Sequence, residues 1–298
     1  MTRPHIAFGT PRRLPKPASV PGRVVVVDIA FAAEGTGHSF EKVTAPFLAG
    51  LGDRLAAWVD HHDHAYHARY ADDARFVLAT KAMHGACPEM VTASLVARIG
   101  AVDSVLCHTD LDGLYAAAKW IRGGEEPYPG ADADARAIDT RIGVASPIAD
   151  ALDRALRVRG RDEAFLTHAV DVLVEGVAEA GLGERITSAA REYQEIEEAT
   201  HALASTRYVT HGDVVICDVS DVPARAFDKT ELLLRGQTQR PVAVVLDAQN
   251  VTLAAPFDSG INFLTMLGLT GGMPTRVSVP RGREAEVRAA LRAAGLWR

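Results

Sequence analysis

The chain has 298 residues, of which 48% are apolar and 23% charged, the composition of an ordinary globular protein with one large or two medium domains. A formal net charge of −6 gives no field that would hold long duplex nucleic acid, and no apolar run approaches the roughly 18 residues needed to span a bilayer. Three scattered cysteines, Cys87, Cys107 and Cys217, form no CxxC pair, so no disulfide framework is expected and a reducing, cytoplasmic setting is.

Residues 1–23 are basic and carry Pro4, Pro11, Pro15, Pro17 and Pro21, without the apolar core of a signal peptide; they are expected to form a flexible or surface-bound arm. Val24-Val25-Val26-Val27 then reads as a buried strand, and it ends in Asp28. Glu34-Gly35-Thr36-Gly37 leads to His38 on a loop, but lacks the Gly-Lys-Ser/Thr ending of a phosphate-binding P-loop. Leu55-Ala56-Ala57-Trp58-Val59 is a second strand, and Asp60-His61-His62 follows it directly. His64 and His67 share a helix face by their spacing, where exposed histidines are commoner than metal ligands. Val102 to Cys107 is a third strand, ending in His108-Thr109-Asp110-Leu111-Asp112-Gly113 before the helix-like Leu114-Tyr115-Ala116-Ala117-Ala118. Cys107, at the end of that strand, reads as a small buried hydrophobe rather than a nucleophile.

Gly123 to Gly130 is a loop by its Gly and Pro content. From Ala135 to Ala204 the pattern is helical, with Val170, Leu173, Val174 and Val177 at helical spacing, and the charged stretch Arg191 to Glu198 reads as a solvated connecting helix. Tyr208-Val209, Val214 to Cys217 and Val242 to Leu246 read as strands of a second domain. The fold class is therefore α/β: a parallel sheet covered by helices, a helical connector at 161–205, and a smaller α/β domain at 206–298.

Taken singly, either acidic cluster has an innocent explanation, because Asp112-Gly113 ahead of a helix is a normal N-terminal cap. Jointly they are harder to dismiss. Ligand sites of open α/β sheets lie at the carboxyl ends of the strands, and three strands ending in carboxylates repel one another unless cations neutralise them.

The motif set resembles that of the DHH phosphoesterases. Asp60-His61-His62 is similar to the family's signature triplet, and His108 to Ala117 resembles its alternating-acid first motif. Val24 to Asp28 resembles the second motif, Cys87 to Val96 the helix after the triplet, and Ala137-Ile138-Asp139-Thr140-Arg141-Ile142-Gly143 the fourth motif. The order here is second, third, first, fourth, which implies a circular permutation of the first strand. The resemblance implies a metal-binding catalytic domain at 24–160 and a substrate-binding domain of the kind that follows it in this family.

What the resemblance implies for the site is specific. Asp28 would bridge two ions, with His61, His108, Asp110, Asp112 and Asp139 completing the metal ligands. His62 would face the phosphate as hydrogen-bond donor or general acid, and Asp60 would support the reaction from behind it. In the second domain, Gly271-Gly272-Met273-Pro274 stands where the family has a Gly-rich turn with a His, so Met273 replaces that His; Gly271, Gly272 and Arg276 are the substrate-binding candidates, unless the glycines simply form a hairpin turn. Oxygen-rich ligands with imidazole favour two Mn²⁺ ions, with Mg²⁺ acceptable. The expected substrate is a small phosphorylated compound: a nucleotide, a short oligonucleotide or a cyclic dinucleotide. A homodimer is left open. The competing readings are another metallohydrolase, since His61, His62, Asp63 and His64 partly echo the metallo-β-lactamase pattern, and a non-catalytic nucleotide-binding regulatory protein.

Overall fold

A computed structural model of the chain describes residues 3–33, 38–177 and 181–298; the Gly-rich stretch at 34–37 lies outside the described residues. The chain divides into two compact units; the main division falls between Glu192 and Tyr193, and among the described residues Ala33 and His38 group with the second unit. In chain order the first contains β1 (His5–Phe8), β2 (Val24–Val27), α1 (Thr44–Leu51), β3 (Leu55–Asp60), the two-residue β4 (Asp63–His64), β5 (Phe76–Leu78), α2 (Ala93–Ile99), β6 (Ser104–Cys107), α3 (Leu111–Ile121), α4 (Ala131–Thr140), α5 (Pro147–Arg159) and α6 (Glu163–Glu175). Helix α7 (Gly183–Arg207) carries the boundary.

The five-stranded sheet of the first unit runs β1-β6-β2-β3-β5 with every neighbouring pair parallel. Parallel strands covered on both faces read as continuous apolar runs, and the four valines of β2 are all fully buried. Alternation sorts them. Val25, Val27, Ala57, Val59, Val105 and Cys107 face α2 and α3, whereas Val24, Val26, Trp58 and Leu106 face Phe31, Phe47 and Leu51. Helix α3 is buried all round: Ala116, Ala117 and Trp120 meet the sheet, while Leu111, Leu114, Tyr115 and Ala118 meet the apolar stripes of α4, α5 and α6.

Two expectations need correction. Residues 1–23 are not a free arm, because His5–Phe8 forms β1, paired in register with all four residues of β6, and Arg3 pairs with Asp171. The proline density around it hid a four-residue strand. The proposed connector also begins too early, since Phe165, Leu166, Ala169, Val170 and Leu173 of α6 belong to the helical core of the first unit.

The second unit contains β7 (Tyr208–His211), β8 (Val214–Asp218), α8 (Lys229–Gln237), β9 (Val242–Leu246), β10 (Asn250–Ala254), α9 (Phe263–Leu267), the two-residue β11 (Gly271–Gly272), β12 (Arg276–Pro280) and α10 (Glu284–Ala293). Its mixed sheet runs β12-β10-β9-β8-β7, with only β8 and β9 parallel. One face packs Val214, Val244, Val251 and Val279 with α9 and α10; the other packs Val215, Cys217 and Val245 with Leu232 and Leu233 of α8. Among the described residues no helix is long and apolar enough to cross a membrane.

Candidate metal centre

The three strand ends that carry acid or imidazole in the sequence come from adjacent strands in the middle of the parallel sheet, β6, β2 and β3. Val27 lies opposite Cys107 on one side and Val59 on the other, so the next residues meet at one edge. The backbone ladder runs past the strands to fix them there: the Asp28 amide donates to Val59 O at 2.9 Å, and the His108 amide to Val27 O at 3.4 Å. Asp28 holds a left-handed backbone, φ 58°, a conformation that Asp tolerates better than most residues and that recurs at functional turns.

Around Asp28 the side chains fall into overlapping groups. Asp28, His61 and His62 form one, Asp28, His108 and Asp110 a second, and His61, Asp112 and Asp139 a third, with donor atoms of each group within 4.8 Å of one another. His61 Nε2 lies 3.2 Å from Asp28 Oδ1, 3.3 Å from Asp112 Oδ2 and 4.0 Å from Asp139 Oδ2. His108 Nδ1 lies 3.8 Å from Asp28 Oδ2 and 2.6 Å from Asp110 Oδ2. The six metal-ligand candidates singled out from the sequence, Asp28, His61, His108, Asp110, Asp112 and Asp139 at the C-terminal end of α4, all fall in these groups together with His62.

The tautomer of His61 follows from its partner. Nδ1 lies 2.9 Å from the His84 carbonyl, which can only accept, so Nδ1 carries a proton and Nε2 turns toward the carboxylates. His62 is held differently, with Nδ1 2.8 Å from Asp60 Oδ1. Asp60 is fully buried, and burial pushes its carboxyl up, but the adjacent His62 imidazole outweighs this and leaves it below the usual carboxylate range. Burial, reinforced by the nearby Lys81 charge, pushes His62 down.

Asp28 shows what the cluster lacks. It is 1% exposed, and neither carboxylate oxygen has a hydrogen-bond partner among the described residues. Burial, then the charges of Asp112 and Asp110, push its carboxyl well above the usual range. A buried carboxylate with no hydrogen bonds is costly, and a coordinated cation removes that cost. The donor set of carboxylates and imidazoles, with no thiolate in any of the groups, suits Mn²⁺ or Mg²⁺.

Capping and ligation are not exclusive here. Asp110 is the N-cap of α3, accepting from the Gly113 amide at 3.4 Å, so the innocent explanation of that motif also holds. Gly113 is required by space: a Cβ there would lie 2.7 Å from His108 O. Asp112, in the first turn of α3, is buried and accepts from the Cys87 amide at 3.4 Å.

Sequence reasoning missed Lys81. Its side chain is 2% exposed, with Nζ 2.9 Å from His61 Nε2 and paired with Asp139. At that separation the two groups share one proton; the lysine is the stronger base, so it donates and His61 Nε2 accepts. Nothing local marks this lysine, since lysines are rarely buried and its partners come from elsewhere in the chain.

Other candidates sit elsewhere. His64 Nε2 faces Ala32 O at 3.3 Å and its Nδ1 accepts from the Tyr66 amide at 3.1 Å, and His64 and His67 both pack against Phe31. The stretch after His64 is a 3-10 helix with His64 as its N-cap, not one face of an α-helix. In the second unit, Gly271–Gly272 is the short strand β11, and the turn falls after it: the Arg276 amide donates to Met273 O at 3.1 Å, so the glycines are not a hairpin turn. Arg276 opens β12, and its guanidinium donates to Thr230 Oγ1 at 2.7 Å.

No family model matches the sequence, and no curated protein matches it. Among solved structures, a pGpG-specific phosphodiesterase, PggH, from Vibrio cholerae aligns at 12% identity with a TM-score of 0.39. The alignment covers 53% of this chain and 64% of that one, so the chain spans less than two thirds of that protein's length.

Proposed function

We propose that the chain is a metal-dependent phosphoesterase of DHH type, acting on a phosphodiester of a small nucleotide, a short oligonucleotide or a cyclic dinucleotide. The observation that carries this reading is Asp28, a buried carboxylate without hydrogen bonds, ringed by His61, His108, Asp110 and Asp112. The position of β6 between β1 and β2 also supports the permuted motif order, because a strand late in the chain delivers its acids beside Asp28.

In this reading the ligands of the divalent metal are drawn from Asp28, His61, His108, Asp110, Asp112 and Asp139, with Mn²⁺ preferred. A bound cation of that kind supplies Lewis acidity that lowers the pKa of water and neutralises charge developing at phosphorus. His62 presents Nε2 to the substrate phosphate, and Asp60 fixes its ring and tautomer from behind. An approaching phosphate anion favours the protonated imidazole, which is the form that donates to a leaving oxygen. Gly271, Gly272 and Arg276 bind the phosphorylated substrate on the second unit.

The test is hydrolysis of bis(p-nitrophenyl) phosphate and of 5′-phosphorylated dinucleotides by the full chain, after chelation and after adding back Mn²⁺, Mg²⁺ or Zn²⁺. Turnover should vanish on chelation and return best with Mn²⁺. Arg276→Ala should raise KM for the dinucleotide about tenfold while leaving bis(p-nitrophenyl) phosphate turnover nearly unchanged. Full activity after exhaustive chelation would remove the metal reading, and dinucleotide binding without turnover would favour the regulatory one.

A further inference from the structure

The donor groups of the centre are not equivalent. His61, Asp112 and Asp139 already surround a cation, because Lys81 Nζ lies 2.9 Å from His61 Nε2 and is paired with Asp139. Asp28, His108 and Asp110 have no lysine or arginine at ion-pair distance among the described residues, and the Lys81 charge acts on Asp28 and Asp110 only from farther off. Lys81 is also anchored at its backbone, where its amide donates to Asp63 Oδ2 at 3.3 Å, so its stem starts from a fixed point. Its side chain is buried with the cluster rather than free to swing into water.

We propose that the Lys81 ammonium is a built-in cation standing where His61, Asp112 and Asp139 would otherwise hold a second divalent ion, so that the chain binds one such ion, at Asp28, His108 and Asp110. This rests on the metal-dependent reading above. Two physical arguments support it. A divalent ion and an ammonium a few ångströms apart in a buried pocket repel strongly, so the ion avoids the occupied group. His61 Nε2, the atom aimed among three carboxylates, already lies 2.9 Å from Lys81 Nζ, so an ion bound there would have to displace the ammonium. The lysine thereby neutralises one unit of carboxylate charge that a second ion would have neutralised twice over.

The decisive measurement is the metal content of the full chain, by elemental analysis and by the electron paramagnetic resonance of bound Mn²⁺. Wild type should hold one Mn²⁺ per chain with the spectrum of an isolated ion. Lys81→Met, which keeps the length and loses the charge, should hold two, with the broadened spectrum of a coupled pair, and Lys81→Arg should stay at one. Two coupled ions in wild type would overturn the inference and leave the metal-dependent reading standing. One ion in both wild type and Lys81→Met would overturn it too, since the lysine would then not be what excludes the second ion. No ion in any of them would overturn the metal reading itself, and this inference with it. Should Lys81→Met not fold, anomalous scattering from Mn²⁺ in wild-type crystals decides alone: a peak between Asp28, His108 and Asp110 supports the inference, and a peak at His61, Asp112 and Asp139 overturns it.

Discussion

Both sheets contain apolar strands that run into aspartates, and Asp28 in the first has a fate opposite to that of Asp218 and Asp247 in the second. In the second unit, β9 runs into Asp247, whose Oδ1 accepts from the Gln249 and Asn250 amides at 2.8 Å each and whose Oδ2 pairs with Lys229 at 2.5 Å. Asp218, at the end of β8, accepts from the Ser220 amide and pairs with Arg281. Although burial pushes both carboxyls up, these partners outweigh it and hold them low. Asp28 follows an apolar run just as they do, yet neither of its oxygens has a hydrogen bond and its carboxyl is pushed up. A strand-end aspartate satisfied by its own loop is part of the fold, whereas one left unsatisfied at the centre of a parallel sheet is waiting for a ligand.

That contrast is sharpest in a pair of matched substitutions. Asp28→Asn should abolish Mn²⁺ binding and lower kcat/KM roughly a thousandfold or more, with metal-free stability unchanged or raised as a buried repulsion is removed. Adding Asp110→Asn should lower kcat/KM little further, because ligands of one centre act as a unit. Asp247→Asn should leave metal content alone and cost about 1–2 kcal/mol of stability. The comparison breaks if chemical denaturation and metal analysis return the reverse pattern.

A smaller effect concerns pH. Burial pushes His108 down, but Asp110 and then Asp28 outweigh this and raise it from 6.5 to about 9. A raised imidazole contributes stability in full below its unfolded pKa and loses it as pH climbs from 6.5 through about 9. The metal-free protein should therefore lose stability over that window. Coordination must displace the same proton, so Mn²⁺ affinity should rise about tenfold per pH unit across the window, as read by calorimetry. A flat profile would mean that His108 is already neutral and the Asp110 contact contributes nothing.

The smallest expected effect lies on the satisfied side of the comparison. Lys229→Met removes a partly exposed partner of Asp247 and should cost only about 0.5–1 kcal/mol, with no change in metal content or turnover. A loss of turnover would show that the second sheet's acids are not merely structural.

The centre of the first sheet was legible in the sequence for a physical reason. Strands buried on both faces, such as Val24–Val27 and Leu55–Asp60, cannot alternate, so their apolar runs and the polar residues that end them stand out. Asp139 was different: nothing in its helical surroundings marked it, and only the resemblance of its neighbourhood to a family motif suggested a place in the cluster. Strand β1 escaped because four residues at a sheet edge, only partly buried, carry little pattern among so many prolines. Lys81 escaped because its burial is wholly tertiary, made by residues 20 and 58 positions away.

The sheet order also sets a timetable for the newborn chain. The strands that flank β6 are encoded before it, yet both must wait for residues 104–107 to emerge from the ribosome before the gap between them can be filled. Until then Asp28 and the imidazoles after β3 face water without His108, Asp110 or Asp112, and Asp139 arrives later still. The unfinished polypeptide thus lacks His108, Asp110, Asp112 and Asp139, and the cluster around Asp28 is assembled only once the sheet has closed.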